Sequence, residues 1–376
     1  MLFRMWNIES IEIQNPNAVP MAILKKILLV IAALLAAASL NTASAAPPRE
    51  QRAIVQSGFG GPEVLTLQSV PVLQPRDGEV LIRVYAASVN PVDWKVRQGP
   101  GPGTSSGSDF RSIPGRDIAG IVEQLGAGVS TLKIGEPVFA LIDHDNARPL
   151  NGGYAEYTVV PAASVAPKPH LATYEQAAGL GVTAATAVRV LEPLQIKGGQ
   201  RVFIDGIAGG VGSAVAQIAK GRAAYVLGTA TAKHDAYLNS IGVDEVIDYT
   251  AVKFEQTVRP PVDVVVETVG VDTATRALAI LKKGGVLVSI AGAPSAAQCA
   301  AAGVSCPEGG HTGGDAINEG RLLGQVARLV DSRQLSVHID ASYSLEQAAE
   351  AQEANRRGDT EGKIIIDVAG AKAKTR

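Results

Sequence analysis

Residues 203–220, FIDGIAGGVGSAVAQIAK, set Gly206, Gly209, Gly210 and Gly212 between an apolar run and a stretch of helical character. Four positions with almost no side chain leave backbone N–H groups open to a ligand. At the start of a helix those groups and the helix dipole favour an anion, so the chemistry suggested is phosphate binding. In the frame G-x-G-x-x-G that ends at Gly212, Gly209 and Gly212 fill the second and third places, Ile207 stands in the first, and Gly206 lies one residue earlier. A diphosphate would then rest on the N–H groups of Gly210 and Val211. The rival reading is a bare turn that packs helix on strand and binds nothing. A second strand end, GTATAKH, offers Thr229, Thr231 and Lys233, with no carboxylate before Asp235. Sites for NAD place Asp or Glu there to accept from the ribose 2′-OH, whereas hydroxyls and a cation suit a 2′-phosphate, so the expected cofactor is NADP(H).

These residues need a scaffold that brings strand ends to one edge. From Tyr174, EQAAGLGVTAATAVRVLEPL has helical character. Beyond it RVFIDG, a helix over 213–219, AYVLGTA, a helix near 232–241, EVIDY, VDVVVETVG, a helix near 273–283 and GVLVSIAG alternate. Apolar strands without polar alternation, each followed by a helix, imply a parallel sheet covered on both faces, the doubly wound α/β arrangement. Upstream, EVLIRVYAASVN, AGIVEQLGAGV and AEYTVVPA are β-branched or alternating runs separated by Gly, Pro and Asp, which predicts a β-rich domain over about 50–176. Residues 316–376 hold two helical stretches and a terminal strand, GKIIIDVAG, expected to return and complete that first domain. Residues 177–315 are left as the dinucleotide-binding domain.

A chain of 376 residues, 46% of them hydrophobic, can bury the cores of two such domains. The formal net charge of −2, with no basic stripe, gives no electrostatic reason to expect a nucleic-acid partner. From Met21 the sequence MAILKKILLVIAALLAAASLNTASAAPPRE has the layout of a secretory signal peptide cleaved near Ala45, with Met21 as the expected true start. Its apolar core is shorter than the ~20 residues a spanning helix needs, so no membrane span is expected after processing. The expected location is exported or periplasmic; an uncleaved anchor and a cytoplasmic protein are the alternatives. The two cysteines, Cys299 and Cys306, suit either a local bridge in an exported chain or two idle thiols, and spacing does not decide between them.

Taken together, the motifs resemble the medium-chain dehydrogenase/reductase superfamily, in its zinc-independent quinone oxidoreductase and enoyl reductase branch. The resemblance runs from about 52 to 368. It rests on ASVNPVDWKVRQG (87–99), PGRDIAGIVEQLGAGV (114–129), GGYAEYTVVP (152–161), GLGVTAATAV (179–188), GIAGGVGSAVAQIAK (206–220), VDEVIDY (243–249) and EGKIIIDV (361–368). Ile207, where the branch usually has a small residue, and the cysteine-bearing stretch are departures. The resemblance implies a Rossmann sheet beside a GroES-like catalytic domain. Zinc-dependent members carry a Cys where Asn90 stands here and a His where Arg116 stands, so no metal site is expected.

The implied activity is hydride transfer from NADPH to a quinone or an α,β-unsaturated carbonyl, whose product can take its proton from water. By the same resemblance the loop NPVDWK faces the nicotinamide, with Asn90 as an orienting hydrogen-bond partner and Lys95 as an oxyanion stabiliser. Thr183 and Gly270 correspond to cofactor contacts, Tyr249 lies near the adenosine phosphate, and Lys363 lies where the returning strand nears the nicotinamide. Each has a bland counterpart: a turn former at Asn90, a solvated cation at Lys95 or Lys233, a half-buried strand residue at Tyr249. Homodimers are common among proteins of this appearance, and the sequence does not fix the oligomeric state. The leader sits awkwardly with NADPH chemistry, and it keeps open a second reading: an exported, non-catalytic descendant of the fold that binds a small molecule or partner.

Overall fold

A computed structural model of the chain describes residues 47–99, 111–143, 148–307 and 316–370. The leader, the start at Met21 and the loop GPGTSSGSDF (101–110) lie outside the described residues, as does 308–315.

The N-terminal half is built from β1 (Glu50–Ser57), β2 (Leu65–Pro71), β3 (Glu79–Val89), β4 (Arg111–Ser112), β5 (Asp117–Leu125), β6 (Pro137–Leu141), β7 (Tyr157–Pro161) and β8 (Val165–Pro167). Between β3 and β4 a short helix, α1 (Pro91–Gln98), carries the NPVDWK stretch. Strands β2, β1 and β4 form a small antiparallel sheet. The larger sheet runs through β3, β5, β6 and β8, with β7 also paired to β3.

The alternating half follows α2 (Tyr174–Leu191), whose start is fixed by a capping box in which Thr173 and Gln176 satisfy each other's backbone N–H groups. Its strands β9 (Arg201–Asp205), β10 (Tyr225–Ala230), β11 (Glu245–Asp248), β12 (Val262–Glu267) and β13 (Leu281–Ser289) are parallel, in the order β11-β10-β9-β12-β13. Helices α3 (Gly210–Gly221), α4 (Asp235–Ser240), α5 (Phe254–Thr257), α6 (Val271–Ala277) and α7 (Ala296–Ala302) connect or follow them. Burial on both faces explains the unbroken apolar runs: Val202 and Ile204 join one core with α2 and α3, while Phe203 between them joins a second core with Phe254 and Ile280. The helix expected to reach residue 283 ends at Ala277, because Leu281 already begins β13 beside Val262.

The last segment begins with a helix at the seam of the two halves. Helix α8 (Ala316–Asp331) sends Leu322, Leu323, Val326 and Val330 into a core that holds residues of α2 together with Phe139, Leu141 and Ala166 of the N-terminal half, and a Cβ at Gly320 would collide with the Ala163 carbonyl. Strand β14 (Ile339–Ser344), helix α9 (Ala348–Arg356) and strand β15 (Lys363–Asp367) follow. β15 pairs antiparallel with β3, from Ile364 opposite Val89 to Asp367 opposite Ala86, so the C-terminal strands extend the larger N-terminal sheet. Strand order reverses at β9, which has β10 on one side and β12 on the other. In open α/β sheets such a reversal marks the ligand-binding end, which here is the carboxyl ends of these strands at the glycine turn.

Candidate functional site

Strand β9 ends at Asp205 and the chain turns through Gly206, whose φ of 74° lies in the left-handed region that glycine tolerates. Gly209 caps α3, and the first N–H groups of the helix, at Gly210, Val211 and Gly212, have no partner within it. A Cβ at Gly210 would lie 2.7 Å from the Thr183 methyl and 3.0 Å from Cδ of Lys363; one at Gly212 would lie 2.8 Å from Cα of Ile207. By contrast, one at Gly209 would meet only the Gly206 carbonyl, at 3.5 Å. Bareness therefore serves close packing at Gly210 and Gly212 and leaves room at Gly209.

The odd residue of the motif has a local explanation. Ile207 is fully buried, and a Cβ at Gly228 on the neighbouring strand would come within 2.8 Å of its Cβ. Gly228 makes the room that Ile207 fills, and the turn keeps its shape.

At the second strand end the three expected residues separate. Thr229 is buried and turned inward, its hydroxyl donating to the Asp205 carboxylate and accepting from the Gly206 N–H at 3.0 Å. It braces the turn. Thr231 has a buried hydroxyl oxygen with no partner among the described residues. Lys233 is half exposed and donates to the Asp359 backbone carbonyl at 3.1 Å while pairing with the carboxylate of the same residue. Tyr249, just past β11, is 56% exposed. The N–H of Gly270 is spent on Glu267, which also accepts from Val269 N–H, each at 2.6 Å. What that loop presents is the exposed apolar pair Val269 and Val271.

The larger N-terminal sheet contributes a buried polar network. Asp117, at the start of β5, is fully buried. It accepts from Ser88 Oγ at 2.7 Å, Asn90 Nδ2 at 2.9 Å and, through its other oxygen, Val182 N–H at 2.7 Å. Lys363, the first residue of β15, donates from Nζ to the Val89 carbonyl at 2.9 Å and to Asn90 Oδ1 at 2.7 Å, with Asp117 at 3.7 Å. Burial lowers its pKa, opposed by the charges of Asp117 and Asp93. Asp93 accepts from Asn90 N–H at 2.9 Å and from the Tyr154 hydroxyl at 2.8 Å. Burial raises its pKa to about 6 despite those two bonds, and the same burial, with Asp93 beside it, pushes Tyr154 well above its usual value.

Asn90 thus meets Lys363 and not Lys95. The latter is exposed on α1, its Nζ 5.6 Å from the centre of the Trp94 ring. Helix α1 is held by its other face: Trp94 Nε1 donates to Asn355 at 3.0 Å, and fully buried Arg97 pairs with Glu353 and Gln352 on α9. Sequence reasoning missed Asp117, Asp93 and Tyr154. All three stand inside quoted landmarks, and for Asp117 the signal available was a carboxylate at the head of an otherwise apolar run.

Comparisons with known proteins agree with this geometry. Residues 76–170 match the alcohol dehydrogenase GroES-like domain and residues 241–366 match the family described as zinc-binding dehydrogenase. The chain is 37% identical over 251 residues to the chloroplastic NADPH-dependent alkenal/one oxidoreductase of Arabidopsis thaliana, a match covering 65% of this chain and 64% of that protein. It is 33% identical over 327 residues to the 2-methylene-furan-3-one reductase of Solanum lycopersicum, covering 85% and 79%. The solved structure of Escherichia coli quinone oxidoreductase complexed with NADPH superposes with a TM-score of 0.75 at 25% identity, over 84% of this chain and all of that one (100%). The chain belongs to the medium-chain dehydrogenase/reductase superfamily, among relatives that include the quinone and alkenal/one oxidoreductases.

Proposed function

We propose that the protein is an NADPH-dependent oxidoreductase, working without zinc, that reduces a quinone or an α,β-unsaturated carbonyl. The observation that carries the reading is the bare turn at the strand-order reversal, packed at Gly210 against Thr183 and Lys363 and open at Gly209. The residues present fit NADP(H). The N–H groups of Gly210 and Val211 would hold the diphosphate, the Thr231 hydroxyl, unpartnered among the described residues, and Lys233 the 2′-phosphate, and the exposed side chain of Tyr249 offers apolar surface at the adenine end. NADPH, when bound, supplies hydride from its nicotinamide C4.

The chain's own contribution is placement and charge. Lys363 Cδ lies against the Gly210 corner and its ammonium is fixed by Val89, Asn90 and Asp117, so one positive charge stands ready beside the inner end of the groove. Such a fixed charge favours an acceptor whose oxygen becomes negative as it takes hydride. Asn90 orients that ammonium through Oδ1, while one Nδ2 hydrogen is spent on Asp117 and the second is not used in this network. Zinc independence is supported by the ligand inventory: Asn90 and Arg116 stand where zinc-dependent members have Cys and His. Arg116 pairs with Asp143 at 3.7 Å, and the only two cysteines of the chain are bonded to each other.

NADPH fluorescence on titration with the purified protein tests the cofactor, and NADPH oxidation with a panel of small quinones, enones and alkenals tests the reaction. Binding in the micromolar range with turnover of at least one acceptor class supports the proposal; no binding at high micromolar cofactor overturns it. The same proposal places the mature protein outside the cytoplasm, supported by the leader-like sequence before Pro47 and the Cys299–Cys306 bond. Among the described residues no helix is long and apolar enough to cross a membrane. Sequencing the N-terminus of the protein recovered from its host tests this: a start near Ala46 or Pro47 supports export, and an intact Met1 or Met21 overturns it.

A further inference from the structure

The stretch between α9 and β15 is tied to both halves of the molecule. Gly362 N–H donates to the Ala208 carbonyl of the glycine turn at 2.9 Å, and Lys363 N–H donates to the His338 carbonyl at 3.0 Å. Glu361 sits between two histidines, with His234 Nδ1 at 2.9 Å and His338 Nε2 at 3.2 Å. Gly362 has φ 75°, and a Cβ there would collide with the His338 carbonyl, so the path of this strap is set by its backbone. Two residues before Glu361, Asp359 lies beside Lys233.

There Asp359 takes the cation twice, through its carbonyl and through its carboxylate, and its carboxylate also stands 4.0 Å from His234 Nε2. Two residues before Lys233, the buried Thr231 hydroxyl has no partner among the described residues. A cation already paired with a carboxylate and a hydroxyl still lacking an acceptor are what a phosphate monoester would find on arrival. A carboxylate and a phosphate carry the same sign and compete for one ammonium.

We propose that Asp359 is a specificity-determining residue: a built-in competitor that occupies Lys233 and weakens binding of the 2′-phosphorylated cofactor selectively. The proposal rests on the reading of Lys233 as the 2′-phosphate ligand. NADH, with a 2′-hydroxyl, does not call on Lys233 and is not affected. The oxidised product carries the same phosphate as NADPH, so the competitor weakens its binding as well.

The test compares the wild-type protein with Asp359→Asn, which keeps the backbone contact and removes the charge, and with Lys233→Met. Dissociation constants are measured for NADPH and NADH by fluorescence and for 2′,5′-ADP by calorimetry, a probe that needs no turnover. Breaking an exposed ion pair that must otherwise be broken by the ligand predicts about three- to fivefold tighter NADPH and 2′,5′-ADP in Asp359→Asn, with NADH unchanged. In the Lys233→Met background, Asp359→Asn should change nothing further. If Lys233→Met leaves the ratio of NADPH to NADH affinity at its wild-type value, the 2′-phosphate assignment fails and the proposal with it. If Lys233→Met collapses that ratio while Asp359→Asn leaves all three constants alone, or tightens NADH equally, the competitor role alone is overturned.

Discussion

Replacing Lys363 with Met removes the one cation in the buried network while keeping a long, unbranched side chain. Its ammonium is 3.7 Å from the Asp117 carboxylate, and both side chains are buried. At an effective dielectric constant of about 20 that attraction is worth about 4 kcal/mol, and desolvation of both charges takes part of it back. Removing one partner also leaves the Val89 carbonyl and Asn90 Oδ1 without their donor, so Lys363→Met is expected to lower the unfolding free energy by about 3 kcal/mol at pH 7. Packing loss alone could produce a similar number, so the assay is a cycle: urea unfolding of the wild type, Lys363→Met, Asp117→Asn and the double variant. Asp117 keeps Ser88, Asn90 and Val182 as donors in Lys363→Met, which limits the cost of leaving it charged. A coupling of about 2 kcal/mol between the two substitutions is expected. If their effects add to within ~0.5 kcal/mol, the two charges do not support each other and the account of the network is wrong.

Three further outcomes follow from the structure. Asp93 has a folded pKa of about 6 against an ordinary 3.8, so between about pH 6 and 4 the folded state binds more protons than the unfolded one and stability from this group rises as pH falls. Asp93→Asn, whose single oxygen can still accept from Asn90 N–H and Tyr154, should remove that rise, about 3 kcal/mol at most, in denaturation series across this range. Gly210→Ala should weaken NADPH binding at least ~10-fold in a fluorescence titration, because the added methyl meets the Thr183 methyl; adding Thr183→Ser should recover part of the loss. Opening the Cys299–Cys306 bond, which spans 7 positions of sequence, should cost about 2 kcal/mol and lower the melting temperature by a few degrees, read by calorimetry with and without reductant.

The parallel sheet and its glycine turn were legible because their signals are local: apolar runs buried on both faces, and four glycines within seven positions. The same locality misassigned Thr229, whose type suits a phosphate but whose strand position turns it toward Asp205. Choosing between Lys95 and Lys363 was beyond a linear reading. The contact between Lys363 and Asn90 joins residues 273 positions apart, and only the return of β15 beside β3 creates it. Asp117 and Asp93 were hidden for a related reason, since each declares its partners only when distant segments arrive, Val182 of α2 at Asp117 and Tyr154 at Asp93. Helix α8 shows the limit for domain boundaries: it packs on α2 and also against β6, β8 and the Ala162–Ser164 turn, so it sits at the seam of the two halves.

The loop closed by the cysteine bond lies along the outer side of β13, where Leu287 N–H donates to the Ser305 carbonyl at 2.8 Å and Ser305 N–H donates to the Gly285 carbonyl at 2.9 Å. Hydrogen-bonding groups that would otherwise stand unpaired at the rim of the five-stranded sheet are already taken. A neighbouring molecule cannot lengthen that sheet through the middle of β13 without first prising the loop away, so the oxidised chain carries its own stopper against ribbon-like self-association on that flank.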